Sequence, residues 1–226
     1  RDVYVRQDAW EVHADVVEAA RRVTRWVHPV TPEVSAALSG DSQGICAVAS
    51  LDALSRELPE PRVGETIVVL AQGRDPGNVG TIIRTADAFG AVGVVAVAGT
   101  VDTVSPKVVR SSAGSVFHIP VCVVPSFAEA RALIHGRSAA LLGTSGGAGS
   151  LSLSDLLVQG VSARSRLSQS HAWVFGNEAR GLSGDEMRLC DALVSIPMTG
   201  DAESLNVASA AATCLFASQT VRGLER

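Results

Sequence analysis

The sequence predicts an α/β fold: a mostly parallel sheet with helices on both faces, preceded by a small, partial α/β domain. Three observations carry this. Short apolar runs rich in valine and bounded by Gly or Pro recur through residues 66–196, and such runs read as buried strands. Segments of helical period lie between them, and strands alternating with helices call for a parallel sheet covered on both sides. Finally, Leu58-Pro59-Glu60-Pro61-Arg62 holds two prolines, each restricting the residue before it to extended backbone. A linker is therefore placed at 58–63, between a partial domain of residues 1–57 and a main domain of residues 64–226.

In chain order, Asp2–Val5 is expected as a strand, Ala14–Val23 as an amphipathic helix with Val16, Val17 and Ala20 on one side, and Pro32–Leu38 as a second helix. In the main domain the expected strands are Thr66–Leu70, Val92–Ala98, Val116–Val124, Ala139–Gly143, Ala172–Phe175 and Leu193–Ile196. The helices between and after them are Asn78–Phe89, Ser105–Ser112, Phe127–His135, Leu153–Gln159, Gly184–Cys190 and Ser204–Val221. Asn78 is placed as the N-cap of the first of these, Gly90 as its stop, and Ser204 as the cap of the last.

Composition narrows the function classes. Of 226 residues, 46% are hydrophobic and 19% charged, which excludes a disordered, collagenous or coiled-coil chain. No apolar run approaches the roughly 18 residues needed to span a bilayer. The net charge of −4 argues against nucleic acid at first sight, because binders usually carry a basic excess. Its distribution removes the objection: residues 1–60 hold six Arg against ten Asp or Glu, and the remainder holds thirteen basic against thirteen acidic residues. All basic residues but Lys107 are Arg, which suits planar phosphate recognition, although genomic codon bias is the blander source. Cys46, Cys122, Cys190 and Cys214 are scattered, with no C-x-x-C and no His at ligand spacing, so no metal site is expected and a reduced, cytoplasmic protein fits. The first residue is not Met and no signal-peptide pattern follows; the chain is expected to begin inside a longer protein.

Three segments have the makings of a site. In the first, Gln72 to Gly90, a strand runs into glycines and then a helix whose buried stripe is Val79, Ile82, Ile83, Ala86 and Phe89. Arg84 lies off that stripe, where it either meets a ligand or forms a weak i, i+3 pair with Asp87. In the second, Phe175-Gly176-Asn177-Glu178-Ala179-Arg180-Gly181-Leu182, a glycine at a strand's C-terminal end lets a ligand approach the backbone, where open α/β sheets place their sites. The plainer reading is a turn with an exposed Glu178–Arg180 pair. In the third, Ile196 to Ala211, a polar loop precedes a helix of small residues, and Asn206 falls in its otherwise apolar first turn. The glycines of 143–149 read as a flexible loop at the rim of the same site. G-x-G-x-x-G and the P-loop are absent, and none of the five His is assigned a catalytic part.

In this order the three segments resemble the three motifs of the SpoU (TrmH) family of RNA ribose 2′-O-methyltransferases, of the SPOUT superfamily, over residues 64–220. Gly114 to Val121 is similar to the family's connecting strand. Gln43 to Val48 resembles the exit from the ribosomal-protein-like substrate-binding domain of rRNA-modifying members. The resemblance implies a C-terminal trefoil knot, S-adenosylmethionine as cofactor, RNA as substrate and a homodimer. It implies a cofactor held near Thr144, Gly176, Ile196, Met198, Ser204, Leu205 and Asn206, and a catalytic set of Arg84, Asn78, Glu178, Ser204 and Asn206. Arg84 matches the family's catalytic arginine, which either activates the 2′-hydroxyl or, because a guanidinium is normally protonated, clamps the adjacent phosphate and the developing alkoxide. The N-terminal domain favours 23S rRNA, with antibiotic resistance as one biological setting; the alternatives are tRNA methylation and a non-catalytic RNA-binding protein of the same fold.

Overall fold

The valine-rich runs form the sheet of the larger of two units. In the computed structural model, which describes residues 2–147, 149–160 and 165–224, the chain divides into Arg1–Ala53 and Leu54–Arg226.

The smaller unit is a three-stranded sheet with two helices. Strand β1 (Asp2–Arg6) lies centrally, parallel to β2 (Val27–Val30) and antiparallel to β3 (Ile45–Val48). Helix α1 (Ala14–Val23) buries Val17 and Ala20, leaving Val16 exposed, and α2 (Pro32–Leu38) starts at Thr31, whose side chain accepts from the Val34 amide. The predicted strand and both helices are present. Strands β2 and β3 were not expected: Pro29 interrupts the apolar run of one and the other is only four residues long.

The larger unit contains β4 (Thr66–Leu70), α3 (Pro76–Ala88), β5 (Val94–Val97), α4 (Pro106–Ser111), β6 (Val121–Val124), α5 (Phe127–His135) and β7 (Ala140–Thr144). There follow β8 (Leu151–Ser152), α6 (Leu153–Gly160), β9 (His171–Phe175), α7 (Gly184–Leu189), β10 (Ala192–Ser195) and α8 (Val207–Leu224). The seven strands run in the order β6-β5-β4-β9-β7-β10-β8, and every pairing is parallel. Strands buried on both faces need no apolar–polar alternation, and β4 and β9 are buried at every position. One core packs the sheet against α3, α4, α6 and α8, and the other packs it against α5. Helices therefore cover both faces, as predicted. Leu58, at the start of the expected linker, is buried in the second core, and its carbonyl accepts from Arg137 Nη2 at 2.7 Å.

Three local expectations are corrected. The run Val116–Val124 is a strand only from Val121, because a 3-10 turn over Ser115–Phe117 precedes it and Ile119 is spent on the core. Asn78 does not cap α3: Asp75 does, its carboxylate accepting from the Asn78 amide at 2.8 Å, with Pro76 in the first turn. Ser204 does not cap α8. Asn206 takes that place, its Oδ1 accepting from the Ala208 and Ser209 amides at 2.8 and 3.4 Å.

A buried polar network ties α8 to the sheet. His171 Nδ1 bonds the Gln169 carbonyl at 2.7 Å and Nε2 meets Ser218 Oγ at 2.8 Å; the Trp173 indole donates to the same oxygen at 2.8 Å. A carbonyl can only accept, so the imidazole proton sits on Nδ1 and Nε2 takes the Ser218 proton. His171 is fully buried, and that burial holds its pKa down to about 4 from the usual 6.5.

Candidate active site

The polar loops gather at the C-terminal ends of four strands. Strands β4, β9, β7 and β10 are consecutive neighbours, so the segments leaving them, which include residues 72–75, 176–181, 145 onward and 196–206, emerge along one edge. This is the location at which open parallel sheets bind ligands.

The first two segments are joined by Glu178. Its carboxylate accepts from the Arg74 amide at 3.3 Å and from the Asp75 amide at 3.2 Å. A carboxylate on two main-chain amides is a charge-assisted pair of bonds, and it fixes the turn that leads into α3. The expected Glu178–Arg180 surface pair is not formed. Arg180 instead donates to Gln72 Oε1 at 3.3 Å, a second bond between the same segments. Asn177 shapes its own turn, its Oδ1 accepting from the Ala179 and Arg180 amides, while its backbone exchanges both bonds with Gly181. This closure requires glycine at 176: a Cβ there would lie 2.3–2.5 Å from the Gly181 and Leu182 backbone. Gly176 is thus a packing glycine.

The third segment is joined to the first by Asn206, whose Nδ2 donates to Asn78 Oδ1 at 3.1 Å. One side chain therefore caps α8 and holds Asn78 on α3. Beside them, Gly77, Thr81 and Arg84 recur at four and three residues and share a face of α3. Arg84 is exposed and bonds no described residue. Its expected partner Asp87 is engaged elsewhere, by His118 Nδ1 at 3.1 Å. Helix α4 packs closely behind: a Cβ at Gly80 would lie 1.9 Å from Ser111 Oγ, which donates to the Pro76 carbonyl at 2.9 Å.

The residues expected around the cofactor fall into two groups. Thr144 ends β7 beside Val194 of β10, and its hydroxyl donates to the Val174 carbonyl at 2.8 Å, so it braces strand ends. Ile196 is half-buried against the core. Met198, Ser204 and Leu205 lie on an exposed loop, Met198 at 42% and Leu205 at 41% exposure. No backbone hydrogen bond joins residues 197–205 to other described residues. Ala148 of the glycine-rich stretch lies outside the described residues. Among the described residues no group of three or more His, Cys, Asp or Glu is arranged for a metal ion.

Sequence reasoning missed Asp75, Gln72 and the Asn177 turn. The Asp-Pro pair at 75–76 was a readable cap signal, since proline favours the first helical position. Nothing local announces that Gln72 would meet Arg180.

Residues 65–216 match the SpoU rRNA Methylase family. The chain belongs to that family. Among SpoU proteins it is 40% identical to the 23S rRNA (uridine(2479)-2′-O)-methyltransferase of Streptomyces viridochromogenes over 154 residues, 66% of this chain and 50% of that protein, so it spans half the length of that relative. It is 34% identical over 208 residues to the 23S rRNA (guanosine-2′-O-)-methyltransferase RlmB of Bordetella pertussis, covering 89% of this chain and 81% of that one. The structure is similar to that of the SpoU methyltransferase AviRb from Streptomyces viridochromogenes in complex with the cofactor AdoMet, with a TM-score of 0.76 and 29% identity over 99% of this chain and 82% of that one.

Proposed function

We propose that the chain transfers the methyl group of S-adenosylmethionine to a ribose 2′-hydroxyl of 23S rRNA. Family membership and the printed activities of the relatives support the reaction class. The observation that carries the reading to particular residues is Arg84: an exposed guanidinium, without a bonding partner among the described residues, on a helix whose N-terminal turn is held by Glu178 and Asn206, the polar residues of the other two motifs.

The loop of 197–205 fits the cofactor. Its main-chain donors and acceptors are unspent on the described protein, and Met198 and Leu205 offer apolar surface beside them. That combination suits a purine, which has a polar edge and flat apolar faces. Residues 196–206 would hold the adenosine, with Thr144 and Gly176 keeping the neighbouring strand ends in place. When bound, S-adenosylmethionine supplies an electrophilic methyl on a sulfonium.

The protein's part is alignment and charge control. In-line displacement by a weak nucleophile depends on holding the 2′-oxygen in an attack geometry. A guanidinium has five donors and no acceptor, so Arg84 acts as a clamp on the neighbouring phosphate and on the charge developing at the 2′-oxygen, while the hydroxyl proton leaves to water. Asn78 and Asn206 position that helix turn, Glu178 fixes the approach to it, and Ser204 lies within the cofactor loop.

The same reading implies the family's C-terminal trefoil knot and, as the active form, a homodimer working in the cytoplasm. Phe216, 55% exposed and edge-on to Phe89 at 6.1 Å, gives an apolar patch that a second copy would cover. No described helix is long and apolar enough to cross a membrane. The test is calorimetric titration with S-adenosylmethionine together with transfer of labelled methyl to 23S rRNA transcribed without modifications. Saturable binding and label on a ribose are expected; absence of both overturns the reading.

A further inference from the structure

The smaller unit carries a column of planar side chains that the methyl-transfer site does not use. Tyr4 lies on β1 and His28 opposite it on the parallel neighbour β2. Their rings stack with centroids 5.1 Å apart and planes 23° apart. Trp26 precedes His28 by two residues, which puts it on the same face of the extended chain. It continues the stack at 6.2 Å and 17°. Arg25 lies over the Trp26 ring, 4.6 Å from its centroid.

The column is built in rather than loosely draped. The Trp26 carbonyl accepts from the Val3 amide at 2.9 Å and its amide donates to Thr24 Oγ1 at 3.1 Å. His28 is held by its edge, Nε2 bonding the Asp2 carboxylate at 3.0 Å, which leaves the ring faces to stacking. Yet Trp26 is 50% exposed, although burying an indole is ordinarily favourable. Charge points the same way. Residues 1–60 are acidic overall, but three of their six arginines are Arg21, Arg22 and Arg25. Arg22 pairs with Glu18, whereas Arg21 lies over Trp10 and Arg25 over Trp26, neither with a carboxylate partner among the described residues.

An exposed aromatic surface flanked by unpaired guanidinium groups is the chemistry of single-stranded nucleic-acid recognition, in which an unstacked base lies on the ring and the cation takes the phosphate. We propose that Trp26, backed by His28 and Tyr4, is a stacking platform for an unpaired base of the RNA substrate, and that Arg25 moves from the indole to the adjoining phosphate when the base arrives. The proposal rests on RNA being the substrate, but not on methyl transfer.

The test uses the whole chain and a mixed-sequence single-stranded oligoribonucleotide of about 12 nucleotides, with a duplex RNA of the same length for comparison. Tryptophan fluorescence should be quenched by the single strand and much less by the duplex. Trp26→Ala should weaken single-strand binding about tenfold or more, and Trp26→Phe should restore most of it. Arg25→Ala should weaken it severalfold and lower the salt dependence by about one counterion. Calorimetry with S-adenosylmethionine on the same variants should be unchanged, which separates this proposal from the methyltransferase reading. Trp26→Ala and Arg25→Ala proteins that bind the single strand as the unmodified chain does, or equal binding of duplex and single strand, would overturn it.

Discussion

Two polar clusters of the larger unit use the same kinds of side chain to opposite ends. Around Ser218 the groups are buried and saturated: imidazole, indole and hydroxyl bond one another and nearby carbonyls. At the start of the helix that carries Arg84 the anchoring groups are equally committed, with Glu178 on two amides and Asn206 on both a helix cap and Asn78. Arg84, six residues beyond Asn78 on the same helix, is left without a bonding partner among the described residues. A closed network stabilises the fold, whereas an anchored helix that presents an unspent guanidinium is prepared for a ligand. Removing a member of the first should therefore cost stability with little effect on catalysis, and removing the unspent guanidinium should do the reverse.

The largest expected effect is on rate. Arg84→Ala should lower methyl transfer by at least 10²–10³-fold, the usual loss when a donor to a developing oxyanion is removed. Its unfolding midpoint and S-adenosylmethionine affinity should stay as they were. Steady-state transfer assays run beside thermal melts read both; a rate within a few-fold of the unmodified chain would take Arg84 out of the chemistry.

Next comes the closed cluster. Ser218→Ala leaves the Trp173 N–H and His171 Nε2 unsatisfied in the core, which costs about 2–4 kcal/mol. Denaturant melts should show that loss while turnover at low temperature stays near its original value. The same cluster makes stability depend on pH. The folded imidazole titrates near 4 and the unfolded one near 6.5, so between those values the unfolded chain binds more protons. This contribution is fully present above about pH 6.5 and falls away as pH drops toward 4, by about 3 kcal/mol in all. A His171→Gln variant should lose that part of the pH slope; an unchanged slope would show that other groups set it.

The smallest effect is expected at Glu178, which acts only through the Arg74–Asp75 turn. Glu178→Gln keeps one acceptor but removes its charge. It should lower kcat about tenfold with little change in KM, and Glu178→Asp should recover less than Gln, because the shorter side chain falls short of the amides. A change confined to KM would instead assign Glu178 to RNA contact.

Much of this was legible in the sequence, for physical reasons that differ by element. The strands buried on both faces announce themselves as valine runs between glycines, and the apolar stripe of α3 is written in Val79, Ile82, Ile83 and Ala86. The three motif segments were readable because backbone-shaping residues such as Gly176 leave a local signature. What failed was one-residue detail and long-range pairing. Asp75 took the cap from Asn78 because Pro76 starts the helix two residues earlier, and Asn206 took it from Ser204 because the loop stays extended farther. Asp87 left Arg84 for His118, 31 residues away in sequence, a choice made by packing that helix periodicity does not encode. The ring column of Tyr4, Trp26 and His28 was illegible for a similar reason, since it depends on pairing β2 with β1, and Pro29 disguises β2.

The central claim, that Arg84 is the unspent group about which a ribose methyltransferase site is organised, is tested most directly by mapping 2′-O-methylation across unmodified 23S rRNA incubated with S-adenosylmethionine and either the unmodified chain or Arg84→Ala. The account predicts a ribose methyl at a discrete position with the first, none with the second, and equal cofactor affinity in both. Methylation on a base, or the same ribose product from Arg84→Ala at a comparable rate, would contradict it.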